Sequence, residues 1–214
     1  MRSHQLKWAL VALLVDVSLA AANPVALFEE GKFDQAKKAF SERLLEQPGD
    51  AAALYYLGKL NSDGAKSAQL FERVLAEHPR SEYADKARFE LAELVFSGPY
   101  GHYVRARGMY RTFLVAYPES VLGAKARYRI GQTFLITNDA DSALAVFNEL
   151  MADQAESNLI PYVSLGVAEA KAMAGKAQEA LRESELLLGV SPVSGLAETL
   201  RQSLGGTLNK QDSG

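Results

Sequence analysis

The chain has 214 residues, of which 48% are hydrophobic and 23% charged, and its net charge is −3. That is a globular balance for one or two domains, with no basic excess for nucleic acid and no polybasic run for a membrane surface. Cysteine is absent, which excludes disulfides, thiolate metal sites, a cysteine nucleophile and an acylated N-terminal cysteine.

Residues 1–22 have the three parts of a secretory signal. Arg2 and Lys7 open it, an apolar run over 8–15 follows, and Ala20, Ala21 and Ala22 close it after a second apolar stretch. The expected cleavage is before Asn23, which leaves the protein in the periplasm. The stretch 8–22 has 15 residues with Asp16 inside, too short for a bilayer span of about 20 residues. Asp16 also weakens an export core, so the other reading is a poorly structured or buried N-terminal helix of a cytoplasmic protein.

From Pro24 onward one ladder of residues recurs. It runs from a small or turn residue to a small residue five on. An aromatic follows four later, an aliphatic or long residue three later, and a proline five after that. Gly31, Ala36, Phe40, Arg43 and Pro48 fit it, as do Gly101, Ala106, Tyr110, Phe113 and Pro118. Asn138, Ala143, Phe147 and Leu150 fit, with Ala155 in the proline place. Gly175, Ala180, Ser184, Leu187 and Pro192 fit with serine in the aromatic place. Ser67, Phe71, Val74 and Pro79 supply the later rungs. Steps of four and three residues share one helical face, and the proline ends the helix.

A helix precedes most ladders, around Leu54-Leu57-Gly58, Arg88-Leu91-Ala92-Val95, Arg127-Ile130-Gly131-Phe134 and Ser164-Val167-Ala168-Lys171. Glycine in mid-helix costs about 1 kcal/mol relative to alanine, so Gly58 and Gly131 imply a partner helix at close approach. Two of these helices open with the same phrase. It runs from Pro79 through Lys86-Ala87-Arg88 to Ala92, and again from Pro118 through Lys125-Ala126-Arg127 to Gly131. Ser81 and Ser120 in these phrases are expected N-caps. A last helix over 193–204 would close the stack with a polar face of Glu198, Arg201 and Gln202, and 205–214 reads as a frayed tail.

These residues resemble the tetratricopeptide repeat, a helix–turn–helix unit. The small–aromatic–proline ladder matches its second helix, and the Leu-Gly and Ile-Gly pairs match its first. The resemblance spans 24–192 and implies an all-α, right-handed solenoid of about five helical hairpins with a C-terminal capping helix over 23–204. The longer units, opened by Pro-x-Ser and an alanine-rich helix, are similar to a bacterial cell-envelope branch of that family, which includes the Tol–Pal-associated periplasmic division coordinator.

In such a stack the first helices line the concave side. The register then points Tyr55, Phe89, Tyr128 and Leu165 into a groove. Lys86 and Lys125 lie three residues earlier; Lys59, Glu93, Gln132 and Glu169 lie four later. An aromatic stripe flanked by charges suits a helix or an extended peptide. The competing reading packs the aromatics between adjacent helices as core. The loop over 97–103 is a second contact candidate, through Tyr100, His102 and Tyr103.

No catalytic pattern appears. His4, His78 and His102 are not spaced as metal ligands, and there is no nucleophile elbow, phosphate loop or dinucleotide glycine pattern. The expectation is a non-enzymatic periplasmic scaffold without metal, cofactor, nucleic acid or integral membrane span, binding an envelope protein or peptide in cell-envelope assembly or division. The alternative is an accessory subunit that presents substrate to, or regulates, an enzyme of secretion, pilus assembly or polysaccharide export.

Overall fold

The computed structural model describes residues 23–98, 101–153 and 158–211, with side chains as far as 206. The expected signal and its cleavage point lie outside them. The described residues form eleven α-helices and no strand: α1 (Pro24–Glu29), α2 (Phe33–Glu46), α3 (Ala51–Leu60), α4 (Gly64–Glu77), α5 (Ala84–Ser97), α6 (Tyr103–Ala116), α7 (Gly123–Ile136), α8 (Ala140–Ala152), α9 (Ile160–Met173), α10 (Ala177–Leu186) and α11 (Ser194–Gln211). Two compact units divide the chain, one through Arg88 and one from Phe89, so the boundary falls within α5.

The ladder explains the second helices α2, α4, α6, α8 and α10. The small rungs Ala36, Ala106, Ala143 and Ala180 are fully buried, and so are Phe40, Tyr110, Phe147 and Ser184. The opening rungs do a different job. Gly31 has φ 75° and Asn138 has φ 60°, the left-handed region that glycine enters freely and asparagine more readily than most other residues. These turns let a first helix end and its partner double back. The closing prolines act as expected: α2, α4 and α6 stop at Gln47, His78 and Tyr117, each next to a proline.

Unit 1 packs α1 on α2, α2 on α3 and α3 on α4. Its core joins Leu27, Phe40, Ala53 and Leu57, and the rings of Phe40 and Tyr56 stack at 4.8 Å. The first helix of this unit, α1, is only six residues long, capped by the Asn23 side chain, which accepts from the Val25 N–H. In unit 2, α6 packs on α7 and the succession continues to α11. The α5–α6 hairpin closes through Phe89 against Tyr110 and Phe113. First helices also touch: α7 meets α9, and α9 meets α11. Helix α11 therefore stands where the first helix of another repeat would stand.

Three sequence expectations change. Ser81 and Ser120 are not N-caps, because their helices start further on: Ser81 Oγ donates to the His78 carbonyl, and Ser120 Oγ accepts from the Leu122 N–H. Helix α11 runs to Gln211 rather than ending at Leu204, with Gly205 and Gly206 inside it. Buried Leu204 holds the middle of that helix on the stack, which offsets two glycines that cost about 1 kcal/mol each. Third, among the predicted groove residues, Phe89 and Leu165 belong to the core, as described next.

Candidate functional site

Unit 2 brings α5, α7 and α9 side by side along one face. Its centre is Glu93 on α5. Arg129 of α7 donates to it twice, from Nε and from Nη2, each at 2.8 Å, and the Tyr110 hydroxyl donates to the same carboxylate. A bidentate guanidinium pair fixes orientation as well as charge. The guanidinium also lies 4.7 Å from the centre of the Phe96 ring, within cation–π range. Burial alone would raise the Glu93 carboxyl; the Arg129 and Tyr110 hydrogen bonds reverse this and hold it below the usual carboxylate value. Tyr110 is raised by burial and then by its bond to Glu93. Arg129 is raised, because Glu93 outweighs the burial that would lower it.

The network continues along α7. Arg129 Nη1 donates to Gln132 Oε1 at 2.7 Å, and Gln132 Nε2 donates to the Tyr128 hydroxyl at 3.0 Å. The Tyr128 ring sits 6.0 Å from Phe147 and 6.2 Å from Tyr162 of α9. Burial, then the charge of Glu169, pushes the Tyr128 phenol up to about 12. Burial also raises Glu169 itself.

The predicted groove residues divide into three kinds. Phe89 is 1% exposed and Leu165 is 5% exposed, so neither can contact a partner as an aromatic or aliphatic anchor. The reason is the helix rotation: this position faces the second helix of its own hairpin, and Phe89 fills the space between Tyr110 and Phe113. What the solvent meets above Phe89 is Lys125, whose ammonium is 5.0 Å from the ring centre. Tyr128, Gln132 and Glu93 are half-buried on the face, joined as above. In unit 1, Tyr55 is half-buried with its ring near Tyr56, Phe71 and Tyr83. Lys86 lies over the Tyr83 ring at 5.0 Å, and Lys59 is exposed.

The loop candidates fare differently. Tyr100 lies outside the described residues. His102 is exposed at the N-cap of α6. Tyr103 is half-buried, its ring edge-on to Phe96 at 5.6 Å, so it secures the hairpin instead of reaching out. A side chain added at Gly101 would come within 2.6 Å of that tyrosine ring.

Sequence reading missed Arg129, Tyr162 and the Arg107 stack. Arg129 directly follows Tyr128, yet its length lets it cross to α5. Tyr162 lies seven residues before Glu169, two turns on the same face, and that spacing could have flagged it. Arg107 lies 3.7 Å from the Phe134 ring centre and donates to Thr133 and Thr137. Burial, then Arg111, lowers its pKa. It fastens α6 to α7. Among the described residues no group of histidines and carboxylates is placed to hold a metal ion, and no helix is long and apolar enough to cross a membrane.

A model of the tetratricopeptide repeat matches residues 25–82 and 101–158. No curated protein matches the chain. Solved structures with a similar fold include TTC0263, a thermophilic TPR protein in Thermus thermophilus, at 20% identity and a TM-score of 0.56, covering 85% of this chain and 94% of that one. A tetratricopeptide repeat protein from Parabacteroides merdae is 19% identical with a TM-score of 0.65, covering 89% and 72%. YrrB, a TPR protein with an unusual peptide-binding site, is 14% identical with a TM-score of 0.60, covering 84% and 88%. These identities are too low to carry more than the fold. The matched repeats make up over half of the residues, and the ladder continues beyond them to Pro192, so the chain belongs to the tetratricopeptide repeat family, whose proteins generally mediate protein–protein interaction.

Proposed function

We propose that this protein is a non-enzymatic, exported scaffold of the cell envelope, and that it captures another envelope protein or a peptide segment on the α5–α7–α9 face. The observation that carries the reading is the chain from Glu93 through Arg129 and Gln132 to Tyr128. It presets charged and aromatic groups at a part-exposed surface. Groups already locked in place lose little freedom when a partner arrives. Export rests on the positive, apolar and small-residue parts of 1–22. The envelope setting rests on the Pro-x-Ser units and their similarity to the envelope branch, which is analogy from fold to role.

Photo-crosslinking in cells tests it. A benzophenone side chain at Lys125 should give a discrete protein adduct, lost when Tyr128→Ala is added; one at exposed Leu45 of α2 should not. Adducts at Leu45 alone would move the interface off this face. Intact mass of the chain from the periplasmic fraction should begin at Asn23; a full-length cytoplasmic chain would remove the envelope setting.

A further inference from the structure

The α7–α9 part of the same face holds a carboxylate without a counter-charge. Glu169 is half-buried on α9, and among the described residues no donor lies within hydrogen-bond reach of it and no cation pairs with it. The neighbouring groups that could have served are committed elsewhere. Arg129 is bound at two nitrogens to Glu93 and at the third to Gln132. Gln132 uses its amide oxygen for Arg129 and its amide nitrogen for Tyr128. Lys171, two residues along α9, is 2.8 Å from Glu183 and 3.5 Å from Glu179. A part-buried carboxylate with no donor is costly to keep.

On the same face stand two tyrosine rings, one of them, Tyr128, near enough to Glu169 to feel its charge. Tyr162 precedes Glu169 by two helical turns, and its ring meets that of Tyr128 at 6.2 Å and 60°. Phe147 in the core backs the Tyr128 ring, and Gln132 holds its hydroxyl. Aromatic faces attract a cation through their quadrupole, and a carboxylate beside them completes the site. We propose that Glu169, Tyr128 and Tyr162 form a receptor for the cationic side chain of a lysine or arginine presented by a partner protein. This rests on the interaction face proposed above and gives its α9 end a sign: the partner is basic at that end. Charge complementarity of this kind selects partners and fixes register.

Titration of the 15N-labelled full chain with an end-capped alanine–lysine decapeptide at low salt tests the site. The amide signals of Tyr128, Tyr162 and Glu169 should move together. Glu169→Gln should weaken the binding at least tenfold, while Glu72→Gln, at an exposed position of α4, should not. The alanine–glutamate decapeptide should leave those signals in place. The proposal fails if the lysine peptide moves none of them, if Glu169→Gln binds it as well as the parent does, or if the glutamate peptide binds there instead. Glutamine preserves the shape and removes an unpaired charge, so loss of folding does not mimic the result. Crosslinking at Lys125 separates the two readings. A partner adduct that survives Glu169→Gln overturns the cation site alone, whereas absence of any adduct in the parent chain counts against the scaffold.

Discussion

Two glutamates on one face, Glu93 and Glu169, carry opposite consequences for stability. The folded Glu93 carboxyl titrates below its unfolded value of about 4.3. It therefore contributes stability that is complete above that value and lost as pH falls through the folded pKa. Glu169 titrates above its unfolded value because of burial. Its contribution is favourable only when protonated, is fully present below about 4.3, and is lost as pH rises through the folded pKa. Glu93→Gln should thus lower unfolding stability at pH 7 by about 1–3 kcal/mol, since it leaves Arg129 part-buried without its charge partner. Glu169→Gln should raise stability at pH 7, and that gain should shrink as pH falls toward 4. Urea unfolding at pH 7 and pH 4 reads both. A Glu169→Gln variant less stable than its parent at pH 7 would mean the carboxylate has a favourable partner and is not an uncompensated charge.

At the scale of the helix pair, contact distance decides what a glycine is for. A methyl at Gly58 would come within 2.6 Å of Phe71, and one at Gly166 within 2.7 Å of Phe147. Gly131 meets Phe147 more closely still. Phe147 thus wedges between α7 and α9, both of which present glycine to it. Gly131→Ala gains helix propensity of about 1 kcal/mol but overpacks a rigid ring in a full core, a cost of about 1–3 kcal/mol. The expected outcome is net destabilisation. Gly108 of α6 is exposed with no neighbour within 4 Å of an added methyl, so Gly108→Ala should stabilise by about 0.5–1 kcal/mol. Paired chemical denaturation curves check the contrast; equal gains for both would show that Phe147 yields. The glycine at 131 was legible in the sequence because mid-helix glycine is expensive and recurs in register. Gly166 was not, since it falls outside the recurring small position. The face was harder to read. Periodicity names which residues share a side of a helix, but a small rotation of α5 decides whether Phe89 meets solvent or is buried beneath Lys125 of the neighbouring α7. Which of Tyr128 and Arg129 reaches across to α5 depends on side-chain length, which a periodic pattern does not encode.

For the whole molecule, the division into two units matters more than the number of repeats. Each unit has its own buried cluster, around Phe40 in one and around Phe147 in the other. Contacts in a repeat protein are made between neighbours, so its stability is a sum of local terms and damage stays near its source. Every residue proposed to bind a partner, from Glu93 to Glu169, lies in the second unit. Phe40→Ala removes a fully buried ring and should cost about 3–5 kcal/mol, with faster amide exchange concentrated in α1 to α4. Exchange in α7 to α10, and the decapeptide titration, should then match the parent chain. Phe147→Ala should do the reverse: it removes the ring that backs Tyr128, loosens α7 to α9, and abolishes the titration while α1 to α3 keep their protection. Hydrogen exchange read by mass spectrometry on both variants distinguishes this from a single cooperative block, in which either substitution would release every helix to the same extent and the binding face would owe its rigidity to the whole chain.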